Sequence, residues 1–292
     1  MNHPIFYRPE MSVPDLSCGS PSAGKPAAFM DLLNSKQMAS RVRKFRPISR
    51  GDLYLVHDKK FVDGVFNGTI LNGFENNDPR VPQACLYTVG SMVAAAQYAY
   101  MSRTTVCSPT SGFHHAGYAR AGGFCTFNGL MVAAAKFVEG NPKLKVGILD
   151  CDMHLGDGTE DILAHKPELA ERICHLTSGR YFYGGERSSD FFAWLQSSIT
   201  VLNAFGCDVV LYQAGADQHI KDPLGGLLTL EEMAKRDRMV FTGIRAGVAW
   251  CLAGGYQVVA GQTEAERLAP VLDIHLETLR QASRVGLQPA AR

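Results

Sequence analysis

The sequence predicts an α/β fold in which one parallel sheet is sandwiched by helices. Short, wholly apolar runs alternate along the chain with longer stretches of helical pattern. Strands that are apolar throughout are typical of a parallel sheet, because helices cover both of its faces. At 292 residues the chain has the length of one large domain or two smaller ones, and no repeat or linker divides it. We therefore expect a single domain over residues 1–292.

The expected elements follow one another along the chain. Residues 1–25 are rich in Pro, Ser and Gly and predict an extended N-terminal arm. Helices are expected at 26–40, 85–103, 125–139, 159–165, 188–204, 230–252 and 264–284. Strands are expected at 52–57, 145–152, 173–176, 208–212 and 257–260. The basic run 41–46 predicts a solvated helix end, and 67–78 a loop.

Composition excludes several classes of function. Lys and Arg number 29 against 28 Asp and Glu, so the charge is balanced and no nucleic-acid partner is expected. No apolar run approaches the roughly 20 residues that a membrane span needs, so no membrane partner is expected either. The eight cysteines are scattered without a C-x-x-C pair, which is typical of free thiols in a reducing compartment. Because the N-terminus lacks the pattern of a signal peptide, we expect a cytoplasmic protein.

Residues 150–154 carry the strongest chemical signal in the chain. The apolar run 146–149 predicts a buried strand, and the glycine-rich stretch after the motif predicts a loop. Side chains alternate along an extended chain, so Asp150, Asp152 and His154 are expected to point to one side. Two carboxylates and an imidazole at a strand end are suitable ligands for a divalent metal, although such side chains can also cap the next helix.

Further motifs suggest chemistry that belongs with this metal. Asp217 follows another buried strand and could complete three ligands, leaving a fourth position open as in catalytic zinc sites. His114 and His115 lie in a glycine-flanked loop, where they suit proton transfer or are simply exposed. Tyr256 follows two glycines and could donate a hydrogen bond to an oxyanion, or be an ordinary loop tyrosine. Phe124 is either the wall of an apolar channel or a core aromatic.

In this order along the chain, the motifs resemble those of the zinc-dependent histone deacetylase superfamily. That group includes bacterial histone deacetylase-like amidohydrolases and acetylpolyamine amidohydrolases. Each motif alone is weak, but five in the right order are specific, and the resemblance runs from about residue 15 to about residue 260. The five stretches are 114–115, 123–125, 150–158, 217–225 and 254–256. The resemblance implies the arginase/deacetylase fold, which is a parallel sheet sandwiched by helices.

The resemblance also implies roles for the metal ligands and the histidines. One Zn²⁺ ion per chain would be held by Asp152, His154 and Asp217. His115 would be the general base and later the acid, with Asp157 as its carboxylate partner. His114 would be the second histidine, paired with Asp150.

The substrate channel is only partly defined by the resemblance. Tyr256 would polarise the substrate carbonyl, and Phe124 with Gly123 would form one wall of the channel. The opposite wall stays open between Tyr181, Phe182 and Tyr183. Ala253 stands where many members have a glycine before the tyrosine, and Leu155 stands where many have a second histidine.

Members of this superfamily usually carry a structural monovalent cation, K⁺, beside the ligand strand. The matching positions here are Asp150, Asp152, His154, His175 and Leu176. A hydroxyl residue often contributes from the next strand, whereas this chain has His175 at that position. The sequence therefore leaves the cation site open.

The resemblance implies a zinc-dependent deacetylase, a hydrolase of linear amide C–N bonds. It would remove an acetyl or other acyl group from an amine, such as acetyl-lysine or acetylpolyamine, by attack of zinc-bound water. The substrate would be a small-molecule or peptide acylated amine, and a homo-oligomer is compatible with the sequence. One alternative is a binding protein that keeps this fold without catalysis. Another is a dimanganese ureohydrolase of the arginase type, which would need more bridging carboxylates than the sequence after Asp217 offers.

Overall fold

Seven strands form one parallel sheet in the computed structural model, which describes residues 3–16, 20–38, 41–141, 143–183 and 185–285. The strands are β1 (Pro4–Phe6), β2 (Arg41–Arg43), β3 (Thr105–Ser111), β4 (Val146–Asp150), β5 (Ile173–Thr177), β6 (Val209–Gln213) and β7 (Gly247–Ala253). Their order across the sheet is β2-β1-β3-β7-β6-β4-β5, and every pairing is parallel. The predicted α/β fold with a parallel sheet is confirmed.

Helices cover both faces of this sheet. They are α1 (Lys25–Ser35), α2 (Arg50–Leu53), α3 (Lys59–Phe66), α4 (Arg80–Ser102), α5 (Gly129–Gly140), α6 (Asp157–His165), α7 (Pro167–Ala170), α8 (Ser188–Phe205), α9 (Leu230–Gly243), α10 (Glu264–Arg267) and α11 (Ala269–Val285). One hydrophobic core includes residues of α3, α4 and α5, and a second includes residues of α1, α8, α9 and α11. Because helices cover both faces, β4 and β6 are buried along their whole length, and their sequences are apolar up to the last residues, Asp150 and Gln213.

The register of the central strands brings their carboxyl ends to one edge. Asp150 at the end of β4 lies opposite both Thr177 of β5 and Gln213 of β6. Gln213 in turn lies opposite Cys251 of β7. The loops that follow these strands therefore leave the sheet side by side, which is where parallel sheets place their functional sites.

Four strands were missed by the sequence analysis, namely β1, β2, β3 and β7. Residues 230–252 were predicted as one helix, but α9 ends at Gly243 and the chain continues as β7. An apolar run that is buried on both faces has no period that separates strand from helix. A Cβ at Gly247 would lie 2.0 Å from the carbonyl oxygen of Ala99, so only glycine allows α4 this close to β7. The missed β3 contains Pro109, which weakens a strand signal, and its pairing with β7 is irregular between Ser108 and Ser111.

Two predicted strands were wrong. The predicted strand 52–57 is instead α2 followed by turns, because Ser49 and Asp52 form a capping box. Residues 257–260 form no strand, and Val258 and Val259 are exposed. The predicted helix 264–284 is broken between Arg267 and Ala269 into α10 and α11.

The N-terminal part of the chain also differs from the prediction. Residues 1–25 were expected to be an extended arm, but β1 pairs with β2 and β3, and Met11 and Val13 are buried. The basic run 41–46 begins with the edge strand β2 and is no helix end. The expected helix 26–40 ends at Ser35, and residues 39–40 lie outside the described residues. No helix in the described part of the chain combines the length and apolarity needed to cross a membrane.

Candidate metal centre and active site

Turns built from aspartate side chains position the residues that follow β4. The strand ends at Asp150, so strand alternation does not place Asp152 and His154, contrary to the sequence analysis. The amide of Asp152 donates to Oδ1 of Asp150 over 3.1 Å, and the amide of His154 donates to Oδ1 of Asp152 over 3.1 Å. Each short side chain therefore folds the backbone of the next two residues into a turn.

The three predicted metal ligands meet in one cluster. Nδ1 of His154 lies 3.1 Å from Oδ1 of Asp152 and 3.0 Å from Oδ2 of Asp217. One ligand atom from each residue lies within 4.8 Å of the other two. Both carboxylates are buried, and burial together with the charge of Asp152 raises the pKa of Asp217.

This cluster fits a zinc ion. Two carboxylates held together away from water repel each other, so a divalent cation between them would offset their charge. Two aspartates and one histidine are ligands that Zn²⁺ accepts, and three protein ligands leave a position for water or substrate. Gly254 closes against the same carboxylates: its amide donates to Oδ2 of Asp152 over 2.8 Å, and a Cβ there would lie 2.5 Å from Oδ2 of Asp217. Any larger residue at Gly254 would displace the ligands.

The structure forms both predicted histidine–aspartate pairs. Nδ1 of His114 lies 2.7 Å from Oδ2 of Asp150, and Nδ1 of His115 lies 2.6 Å from Oδ1 of Asp157. The two imidazole rings are 4.1 Å apart between centroids. Both Nδ1 atoms are engaged by carboxylates, so each ring turns Nε2 to the other side.

The two pairs differ in their surroundings. His114 and Asp150 are buried; although burial lowers the pKa of His114, Asp150 and Asp152 raise it to about 9. Asp157 is partly exposed and also accepts from Nη2 of Arg120 over 2.6 Å. Burial raises the pKa of Asp157, but the bonds from His115 and Arg120 outweigh it and lower the pKa to about 2. Asp157 therefore stays ionised beside His115 over the whole neutral range.

The rings of Tyr256 and Phe124 lie next to each other beside the cluster. Their rings are 5.9 Å apart, and Tyr256 is 6.3 Å from the ring of His154. Burial, followed by the charges of Asp152 and Asp217, raises the pKa of Tyr256, so its hydroxyl keeps its proton. The amide of Tyr256 donates to Oδ2 of Asp222 over 2.7 Å, which holds the loop after β7.

The turn at Gly123 brings Phe124 to this position. Gly123 and Phe124 have φ values of 52° and 62°, in the left-handed region. A Cβ at Gly123 would lie 2.3 Å from Cδ2 of His115, so the backbone passes directly over the imidazole. Gly123 therefore sets the distance between the channel wall and the proposed base.

Three residues were candidates for the opposite wall of the channel, and the packing of Phe182 excludes it as a wall residue. Its side chain is buried with ring centroids 5.5 Å from Phe191 and 6.0 Å from Trp194. Tyr181 and Tyr183 are exposed and remain available.

A histone deacetylase domain model matches residues 22–192, which is more than half of the chain. This chain belongs to the histone deacetylase family. An uncharacterized protein of Picosynechococcus sp. is 28% identical over 229 residues, covering 72% of this chain and 73% of its own length. An acetylpolyamine amidohydrolase of Mycoplana ramosa is 27% identical over 175 residues, covering 50% of each chain. In fold, the chain is similar to an acetylpolyamine aminohydrolase from Burkholderia pseudomallei, with a TM-score of 0.75, 16% identity, and coverage of 97% of this chain and 99% of that one.

The family and fold that the motifs implied are therefore confirmed: the chain belongs to the histone deacetylase family and has the fold of its members. The predicted site residues lie together in the structure, while their individual roles remain predictions.

In this family member, sequence reasoning missed two buried cations beside the site. Nζ of Lys25 donates to the carbonyl of Ala253 over 2.8 Å, at the residue before Gly254. Ala253 has a φ of 58°, in the left-handed region that favours glycine. Nη1 of Arg236 donates to the carbonyl of Gly215 over 2.7 Å and so holds the loop of Asp217. Neither residue stands in a motif, and only the fold brings them to the site.

The residues at the expected potassium site do not fit an all-oxygen cation site. The His175 side chain lies beside Asp150: a Cβ at Gly156 would be 3.1 Å from Nε2 of His175 and 2.6 Å from Oδ2 of Asp150. Nε2 of His175 is buried and has no hydrogen-bond partner among the described residues. The carbonyl of Asp152, another expected ligand, accepts from Oγ of Ser178 over 2.9 Å. Hard cations prefer oxygen donors, and an imidazole occupies the place where relatives often supply a hydroxyl.

Proposed function

We propose that this protein is a zinc-dependent deacylase that hydrolyses the amide bond between an acyl group and an amine. The observation that carries the proposal is the cluster of Asp152, His154 and Asp217 beside the His115–Asp157 pair. The three ligands would hold the ion, and the pair would move a proton next to it. A bound zinc ion supplies a Lewis acid that lowers the pKa of water and polarises a carbonyl.

His115 is suited to act as base and then as acid. Its Nδ1 donates to Asp157, so the neutral ring has a free lone pair on Nε2. Nε2 takes a proton from the attacking water, and ionised Asp157 stabilises the imidazolium that results. The same proton then passes from Nε2 to the nitrogen of the leaving amine, so the base returns to its starting state.

Tyr256 is suited to stabilise the oxyanion. Its raised pKa keeps the hydroxyl protonated, so it donates a hydrogen bond to the carbonyl oxygen as negative charge develops there. Nε2 of His114 lies in the same space, 3.6 Å from Oδ1 of Asp152, and the bond from Nδ1 to Asp150 holds the ring there. The side chains that line the reaction centre therefore complement a developing anion.

The proposal extends to the substrate and to the cellular setting of the protein. The acetylpolyamine amidohydrolase among the relatives supports an acylated amine, either a small molecule or a peptide. The free cysteines of the described residues support a reducing, cytoplasmic setting. A homo-oligomer is compatible with the chain.

Two substitutions test the proposed roles. His115→Ala should lower kcat by a factor of about 10² to 10⁴ while zinc stays bound, because the general base is lost and the ligands are intact. Asp217→Ala should lose the metal, because one of three ligands is removed. Turnover is measured with an acetyl-lysine peptide and an acetylpolyamine, and metal content by elemental analysis of the same samples.

His165→Ala is the matched control for His115→Ala. His165 is a half-exposed histidine that stacks on Tyr118 and is not part of the cluster, so its loss should leave turnover unchanged. Full turnover by His115→Ala, or normal zinc content in Asp217→Ala, would contradict the assignment. Two manganese ions per chain would instead favour the ureohydrolase.

A further inference from the structure

A second cavity lies next to the reaction centre and is not needed for removing an acetyl group. Its volume is about 60 Å³. Its apolar walls come from the N-terminal segment, from α4 and from the stretch after β3 and include Met11, Val13, Ala84, Phe113 and Phe127. No charged side chain is among the described residues that line it.

The cavity adjoins the space where the reacting carbonyl would lie. A smaller space of about 10 Å³ is lined by His114, Asp152 and Tyr256 among others. Both spaces share the same four wall residues, which are Ser22, Ser111, Gly112 and Phe124. Gly112 has no side chain, and its backbone is part of the wall of both spaces.

The chemistry of the walls selects the class of group that would enter. A carboxylate needs a cation or several N–H donors, whereas this cavity offers apolar surface and a few hydroxyls. The nearby buried cation, Lys25, does not line the cavity and is bonded to the carbonyl of Ala253. An alkyl chain gains free energy on leaving water for such a surface, in proportion to its length.

We propose that this cavity receives the tail of the acyl group, so that straight acyl chains of about four to six carbons are better substrates than acetyl. One water-sized group needs roughly 10 to 15 Å³ of such volume, so the cavity holds about four groups of the size of a methylene. The methyl of an acetyl group would fill only the smaller space. This inference rests on the proposed function and adds its substrate class.

An acyl-length series on one amine tests the proposal. Acetyl, propanoyl, butanoyl, hexanoyl and decanoyl derivatives of the same lysine peptide are compared by kcat/KM with zinc-loaded protein. Each added methylene should raise kcat/KM by about three- to fourfold until the cavity is full, and decanoyl should be worse than hexanoyl.

A substitution in the wall that α4 forms tests whether the dependence of kcat/KM on acyl length arises in this cavity. Ala84 is buried on α4 and lines the cavity, so Ala84→Met should lower kcat/KM for hexanoyl at least tenfold more than for acetyl. Gln83 is the neighbouring residue but is exposed, so Gln83→Met is the matched control and should change neither value.

Thr110 lines the same cavity, and its buried hydroxyl has no partner among the described residues. The isosteric Thr110→Val should therefore raise the preference for hexanoyl a few-fold.

The outcomes separate this inference from the proposed function. Hydrolysis of acetyl with equal or falling kcat/KM along the series would overturn the acyl cavity and leave the deacylase intact. Calorimetry with the variant His115→Ala measures the affinity of the same peptides for the cavity without catalysis. If no peptide is hydrolysed by the wild type, the proposed function fails, and affinities that do not rise with acyl length would overturn the cavity as well.

Discussion

Asp150 and Asp157 hold adjacent histidines in different environments, and this difference suits different tasks. Asp150 is fully buried, and its Oδ1 accepts from the amide of Asp152 and from Nε2 of Gln213. Asp157 is 39% exposed and shares its second oxygen with Arg120. A buried, fully bonded pair keeps its charge constant, whereas a pair at the solvent edge can exchange protons with water. The geometry thus favours His115 over His114 for proton transfer.

His175 leads to a prediction about potassium. Because an imidazole lies beside Asp150 where relatives often have a hydroxyl, the thermal unfolding midpoint should be the same in KCl, NaCl and choline chloride at equal ionic strength. The variant His175→Ser, which provides an oxygen donor, should gain stabilisation by K⁺. A saturable stabilisation of the wild type by K⁺ would show that the cation site is intact.

At the scale of elements, a buried histidine joins three loops that meet beneath the site. Nδ1 of His57 donates to the carbonyl of Gly117 over 2.7 Å, and its Nε2 accepts from the amide of Asn128 over 2.9 Å. Asn128 caps α5, and Gly117 follows the histidine pair. Because Nε2 is an acceptor, the ring must be neutral, and burial lowers the pKa of His57 to about 4.

Acid should therefore weaken the fold through His57. Its pKa in the folded state, about 4, is lower than the ordinary value of 6.5, so between these values only the unfolded chain takes up the proton. The contribution of neutral His57 to the free energy of unfolding is present above pH 6.5, and about 2 kcal/mol of this contribution is lost between pH 6.5 and pH 5. Urea unfolding at several pH values measures this slope.

The control for that slope is a pair of variants. His57→Gln should flatten the loss of stability toward acid, whereas His165→Gln, at a half-exposed position, should leave it as in the wild type. Equal slopes in all three proteins would show that His57 does not carry the effect.

At the scale of the whole molecule, the metal cluster couples ligand binding to folding. Asp152 and Asp217 come from loops after β4 and β6, and the unfolded chain would not hold them together. Zinc at about 1,000 times its dissociation constant should therefore stabilise the folded state by about 4 kcal/mol. Removal of metal by a chelator should lower the unfolding midpoint, and added zinc should restore it.

Asp217→Ala serves as the reference for that experiment. If the cluster binds zinc, this variant should unfold at a midpoint that neither chelator nor zinc changes. An unchanged midpoint of the wild type after chelation would contradict a zinc site that is coupled to the fold.

Much of the site could be predicted because its residues stand in short, ordered motifs. The stretches around His114, Asp152, Asp217 and Tyr256 each follow a strand or lie in a glycine-rich loop, and the structure brings all of them to one edge of the sheet. Lys25 could not be predicted as a neighbour, because it contacts a carbonyl 228 positions away and stands in no pattern. The strand β7 was missed because burial on both faces removes the periodicity on which a prediction depends, and Pro109 weakens the strand signal of β3.

The sequence by itself determined the fold class and the family, and it named the residues that meet in the candidate site, because apolar runs, turn residues and motif order are local properties. The tertiary structure decided what depends on distance: the contact between Lys25 and Ala253, the bond from Arg236 to Gly215, and the cavity that Phe124 lines. It also changed the account of residues 150–154, where turns rather than a strand direct Asp152 and His154. Such features arise from strand register and close packing, which join residues that no local pattern relates.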